Sequence, residues 1–236
     1  MTTPPLTKKR RMQRDKYIMD KLVNLVKKDI IEFLETNHEL LFNERDFQMH
    51  LAVYLRQKGN YDDVDVEYYV PYKLLKDYIW ENELRIDVLV RKSNEYLPIE
   101  LKYKTAQVMK DILRFDEKIQ DIEVLKNQGA EDIGMYDFWK DVRRIELVRN
   151  RFPVVHNGLA VFVTNDPQYL NQSRPTSNNF LLNMNEGEHG KLKHWQKTES
   201  TCAKKYPNFE VERNYAISWN MISMENLSFH YCVVEI

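Results

Sequence analysis

The sequence is poor in cysteine, in long apolar runs and in any excess of one charge. Cysteine occurs only at Cys202 and Cys232, far apart and without CxxC spacing. That usage points to a reducing compartment, here expected to be the cytoplasm. No run of about 18 apolar residues exists, so no membrane span is expected. The opening stretch, MTTPPLTKKRRMQRDK, is basic but has no apolar core after it, and is not expected to act as a secretory signal. Lys and Arg number 35 against 36 Asp and Glu, a net charge of −1. A nucleic-acid binder usually shows a basic balance, so positive charge for such a partner would have to be gathered locally. There is no internal repeat, no low-complexity tract and no clear linker.

What is present fits a globular chain: 236 residues, 43% hydrophobic and 30% charged. Residues 1–13 are expected to form a disordered basic tail, which could touch nucleic acid. Residues 14–236 are expected to form a single domain with a core at about 43–166. Apolar residues at Ile18, Leu22, Leu25, Val26, Ile30 and Leu34 recur at helical steps over 14–37. Asn43 is a good N-cap for a second helix that Gly59 stops. Its apolar stripe is Phe47, Leu51, Tyr54 and Leu55. An alternating β segment, VDVEYYVP, follows, then strands near 84–91 and 96–104. Residues 106–127 are polar and read as helical. A helix over MYDFWKDVRRIELVRN presents Phe138, Val142, Ile145 and Val148, with Tyr136 and Trp139 expected to pack. GLAVFVTND reads as a buried strand parallel to 96–104. The polar segment FLLNMNEGEHGKLKHW suggests an irregular hairpin, and NYAISWNMI and LSFHYCVVEI two closing strands. The fold class is α/β, a mixed sheet flanked by helices with C-terminal β additions.

Acids stand inside the two central strands, RIDVLVRKSNEYLPIELKYK. A two-residue turn at Ser93-Asn94 would place Lys92 opposite Glu95, Val90 opposite Leu97 and Asp87 opposite Glu100. Asp87, Glu100 and Lys102 then share one face. Ile86, Val88, Val90, Ile99, Leu101 and Tyr103 share the other. Opposed like charges about 5 Å apart destabilise a sheet, and an unpaired buried carboxylate is costly. Lys102 supplies one compensating charge. A divalent cation between Asp87 and Glu100 would supply two more. Oxygen ligands favour Mg²⁺ or Mn²⁺ over zinc, and no His or Cys lies nearby. The plainer alternative is a pair of acids on an exposed sheet face, neutralised by Lys102 and Arg85.

Asp87 and Glu100-Leu101-Lys102 resemble the acid-then-ExK pattern of the PD-(D/E)XK nuclease superfamily. The helix, three strands, helix, strand order from residue 43 is similar to its restriction-endonuclease-like α/β/α core. The resemblance covers about 43–166. It implies Mg²⁺-dependent (or Mn²⁺-dependent) hydrolysis of nucleic-acid phosphodiesters, DNA before RNA. It also implies metal ligation by Asp87, Glu100 and the Leu101 carbonyl, with Lys102 acting on the attacking water. Glu44, at the start of the second helix, would complete the site or hold a second metal. Ile86 replaces the proline that usually precedes the first acid, and no QxxxY follows the ExK residues.

Other readings stand beside these. Glu44 could serve only the helix dipole. Arg143 and Arg144 could meet the phosphate backbone, or pair with Asp141 and Glu146 on a solvated face. Thr164-Asn165-Asp166 could edge the site or form a turn. A zinc set of His189, His194 and Cys202 has irregular spacing. A non-catalytic module binding nucleic acid or protein on the same fold is the alternative function. No membrane partner is expected, and a homodimer is left open.

Overall fold

The computed structural model describes the backbone of residues 8–236 and the side chains of residues 21–236. Residues 1–7 of the expected tail lie outside the described residues. Helix α1 spans Lys8–Thr36, beginning six residues before the position expected from apolar spacing. Helix α2 spans Glu44–Gln57. The Asn43 side chain accepts from the Asp46 amide at 2.9 Å, and Glu44 and Asp46 fill the first turn. Gly59 takes the left-handed φ of +66° that lets the chain leave the helix.

Strands β1 (Asp63–Val70), β2 (Leu84–Lys92) and β3 (Glu95–Lys104) follow. Next come a hairpin of β4 (Val108–Arg114) and β5 (Glu117–Leu125), then helix α3 (Glu131–Arg151) and strand β6 (Leu159–Thr164). Short elements succeed them: β7 (Gly187–His189), β8 (Leu192–Lys193), α4 (Thr201–Lys205), β9 (Phe209–Glu210) and β10 (Tyr215–Ile217). Strands β11 (Asn220–Met224) and β12 (Leu227–Glu235) close the chain. Six strands form the main sheet in the order β1-β2-β3-β6-β12-β11. β3 and β6 run parallel, Ile99 beside Leu159 through Lys104 beside Thr164. Their neighbours pair antiparallel, so the sheet is mixed, as expected.

The sheet is covered on both faces. Val88, Val90, Ile99, Leu101 and Tyr103 pack with Val26, Ile30 and Leu34 of α1 and with Phe47, Leu51 and Leu55 of α2. On the other face Tyr136, Phe138, Trp139, Val142 and Ile145 of α3 pack with Ala160, Phe162, Cys232 and Val234. Each such side chain contributes roughly 1.5–3 kcal/mol by leaving water, so these two stripes fix how the helices sit on the sheet. Cys202 and Cys232 are both free. Among the described residues no helix is long and apolar enough to cross a membrane.

Four expectations need correction. Residues 106–127 form the β4–β5 hairpin rather than a helix. Its base is clamped by Thr105, whose hydroxyl donates to the Lys126 carbonyl, and by Asn165, which bonds Ala106 at both amide atoms. FLLNMNEGEHGKLKHW is not a hairpin, because β7 pairs with β10 and β8 with β9. NYAISWNMI is split between β10, in a small sheet, and β11, in the main one. Ile86 does not share a face with Val88: it packs with Leu84 against the α3 layer. Alternation along β2 therefore breaks at Asp87.

Candidate active site around Asp87, Glu100 and Lys102

The turn at Ser93-Asn94 forms as the sequence predicts, and its register holds from Lys92↔Glu95 to Val88↔Ile99. Beyond that pair the ladder stops. On the other side of β2, pairing with β1 skips the Glu67–Asp87 position. Glu67 has a φ of +52°, a backbone state that costs a non-glycine residue of order 1–3 kcal/mol. Both neighbouring strands thus give way at Asp87, and side chains replace the missing ladder bonds. Gln48 of α2 donates its amide to the Asp87 carbonyl at 2.7 Å and to the Glu67 carboxylate at 3.1 Å. Asp87 Oδ2 accepts from the Leu101 amide at 2.6 Å. Glu44 Oε2 accepts from the Tyr103 amide at 3.0 Å. Two successive amides on one side of β3 are therefore capped by carboxylates instead of by β2.

Glu100, 3% exposed, stands beside Asp87, and its Oε1 finds no hydrogen-bond partner among the described residues. Lys102 extends to Asp141 of α3, its Nζ 2.6 Å from Oδ2, and also donates to the Leu101 carbonyl at 3.0 Å. Glu44 Oε1 is 3.8 Å from the same ammonium. Arg144 pairs with Asp141 at 3.3 Å and donates to Asn82 at 3.0 Å, its guanidinium lying near the Tyr78 and Trp80 rings. Four carboxylates (Glu44, Asp87, Glu100 and Asp141) thus surround two cations, Lys102 and Arg144.

The electrostatics follow from that imbalance. Loss of hydration pushes the Asp87 carboxyl up to about 6, reinforced by Asp141 and opposed by Lys102 and the Leu101 amide. Glu100 is raised well above the carboxylate range by burial, then by Asp87 and Asp141. Burial alone would lower Lys102, but Asp141, Glu44, Asp87 and Glu100 together raise it, so it remains an ammonium. Burial would raise Asp141, yet Lys102 and Arg144 hold it below the usual range. The excess negative charge therefore collects on Asp87 and Glu100, where burial and mutual repulsion favour the protonated forms.

The structure brings Asp87, Glu100 and Lys102 together and carries Glu44 to Lys102. It does not gather three carboxylates on one point. Among the described residues no group of three or more His, Cys, Asp or Glu is arranged to hold a metal ion; His189, His194 and Cys202 form no such set. The Asp87–Glu100 pair, with its unpartnered buried oxygen, fits a hard cation that takes one or two carboxylates and fills its shell with water. Arg143 is tied to Glu146 at 3.0 Å and Glu212 at 3.4 Å, and Arg144 is buried, so neither guanidinium stands free towards solvent. The pairing to Asp141 and Glu146 matches the sequence-based alternative, but the face is packed rather than solvated. In Thr164-Asn165-Asp166, Thr164 Oγ1 accepts from the Asp166 amide and Asn165 braces the β4–β5 hairpin.

Sequence reasoning missed Asp141, Gln48 and Glu67 as parts of this site. Asp141 lies three residues after Phe138 and four before Ile145, inside the apolar stripe of α3. Gln48 lies three and four residues before Leu51 and Ala52, both buried. A polar residue within an apolar stripe was the available signal. No family model, no curated protein and no solved structure matches this chain.

Proposed function

We propose that this chain is a divalent-metal-dependent nuclease with a restriction-endonuclease-like core formed by α2, β1–β3, α3 and β6. The observation that carries the reading is the pair of adjacent carboxyls, Asp87 and Glu100, one oxygen of which is buried without a partner, with the Lys102 ammonium beside them. Asp87, Glu100 and the Leu101 carbonyl would hold Mg²⁺ or Mn²⁺. The bound ion supplies a more acidic water and positive charge for a phosphorus centre. Lys102, kept as an ammonium by Asp141, orients the attacking water and stabilises charge developing on the phosphate oxygens. Glu44 limits the travel of that ammonium, and Gln48 fixes the backbone at Asp87.

Single-turnover cleavage of DNA and RNA substrates with Mg²⁺ or Mn²⁺ tests this function. Activity is expected in the unsubstituted chain and its loss in Asp87→Ala and Lys102→Ala. Cleavage that survives both substitutions sinks the assignment. The balance of 35 basic and 36 acidic residues, with no basic excess for a phosphate backbone, leaves a second reading standing, a non-catalytic module binding nucleic acid or protein. Mn²⁺ and DNA binding without any cleavage would favour it.

A further inference from the structure

We propose that Asp141 is a positioning residue that draws the Lys102 ammonium towards α3 and so weakens its competition for the cation site between Asp87 and Glu100. This rests on the metal-binding reading above. Lys102 is one of the site's two resident cations, and it already donates to the Leu101 carbonyl, the main-chain oxygen assigned to the ion. Ammonium and metal therefore compete for one carbonyl and for the same acids. Asp141 decides where the ammonium rests, because its Oδ2 makes the shortest of the Lys102 contacts, 2.6 Å against 3.0 Å to Leu101 and 3.8 Å to Glu44.

The Asp141 carboxylate is also the fixed partner of the two. It is 2% exposed and stands on α3 among Phe138, Val142 and Ile145, which are buried against the sheet. Its second oxygen is held by Arg144, which Asn82 and the Tyr78 and Trp80 rings hold in turn. Lys102, on a flexible four-carbon stem, is the partner that can move. With Asp141 neutralised, the ammonium keeps only Leu101, Glu44, Asp87 and Glu100 as neighbours, and it settles among the groups the ion needs.

Calorimetric titration of the metal-free full chain with Mn²⁺, without substrate, tests this through a double-substitution cycle. Asp141→Asn is expected to weaken Mn²⁺ binding roughly tenfold, a typical coupling between contacting charges. Lys102→Met is expected to bind at least as tightly as the unsubstituted chain. In the Lys102→Met background, Asp141→Asn should change affinity by less than about threefold. A merely structural role, or a direct effect of the Asp141 charge on the ion, would weaken binding equally in both backgrounds and overturns the proposal. Asp141→Glu keeps the charge but displaces the contact by one methylene, so it replaces Asn where that variant fails to fold. It is judged by the same criterion, weakening that Lys102→Met abolishes. If the unsubstituted chain binds no Mn²⁺, the metal-binding reading itself falls, and this proposal with it. Binding that is present but insensitive to Asp141 overturns the positioning role alone.

Discussion

Replacing Asp87 by Asn is expected to stabilise the metal-free protein at pH 8 while removing its affinity for a divalent ion. In the folded chain the Asp87 carboxyl titrates near 6, against an ordinary value of 3.8. The folded state therefore holds an extra proton between those values. Stability falls as pH rises through that window, and above about pH 6 the full penalty stands. A gap of about two pH units corresponds to about 3 kcal/mol. Asn removes the charge, its carbonyl can still accept from the Leu101 amide, and its amide can donate to the orphaned Glu100 Oε1. A gain of about 1–3 kcal/mol at pH 8 is expected, smaller by about 1.4 kcal/mol at pH 5, where the folded Asp87 holds its proton while the unfolded carboxyl is still ionised. Urea unfolding in EDTA at both pH values measures it. The comparison must be between variant and parent, because half-buried His189 and buried Lys193 bind protons less readily when folded and tilt the pH dependence the other way in both proteins. Saturating Mn²⁺ should reverse the order, since ligand at a hundred times its Kd stabilises only the binding form, by about 2.7 kcal/mol. A variant no more stable than its parent at pH 8 in EDTA refutes the electrostatic reading of the site.

Two further outcomes follow from features away from the site. Lys193 is 1% exposed, its ammonium lies 3.3 Å above the Trp139 ring centroid, and it has no hydrogen-bond partner among the described residues. Burial lowers it to about 7 from an ordinary 10.5, so its penalty is full below pH 7 and fades as pH rises towards 10.5. Lys193→Met should stabilise the fold by about 2–3 kcal/mol at pH 6, the ring contact offsetting part of the desolvation cost, and by about half that at pH 9; an equal effect at both pH values in urea unfolding would count against it. Phe115 and Asp116 both have positive φ at the tip of the β4–β5 turn, and Phe115 is fully exposed. Phe115→Asn, which tolerates that conformation, should raise stability by about 1 kcal/mol in thermal unfolding, and a loss would mean that the ring is held by contacts it lacks here.

The site was legible in the sequence where local chemistry sets geometry. Apolar alternation and a short polar turn place Asp87, Glu100 and Lys102 in one neighbourhood, and the β2–β3 register follows from counting outward from Ser93-Asn94. The twist at Asp87 was not legible, because it depends on Gln48 and Glu67, 39 and 20 residues earlier, taking over bonds that a regular ladder would make. The β4–β5 hairpin was read as a helix because its turn, Phe115-Asp116, lacks the Asn-Gly signal and its strands carry many polar residues without a clean alternation. Asp141 was hidden by its own neighbours: an Asp three residues before an Arg looks like a surface pair, and only burial against β3 shows that it also pairs with Lys102.

The carboxylate caps on β3 bear on which ion the site could prefer. Asp87 has one oxygen committed to the Leu101 amide, so it cannot turn both towards an ion without breaking the bond that holds it in the sheet. Glu100 offers its unpartnered Oε1. On the metal-binding reading, Asp87 would therefore offer an ion a single oxygen. Calcium favours six to eight oxygens with chelating carboxylates, whereas magnesium accepts single oxygens in an octahedron completed by water. By the denticity of Asp87, the break in the β2–β3 ladder would favour the smaller ion, if the site binds one as proposed.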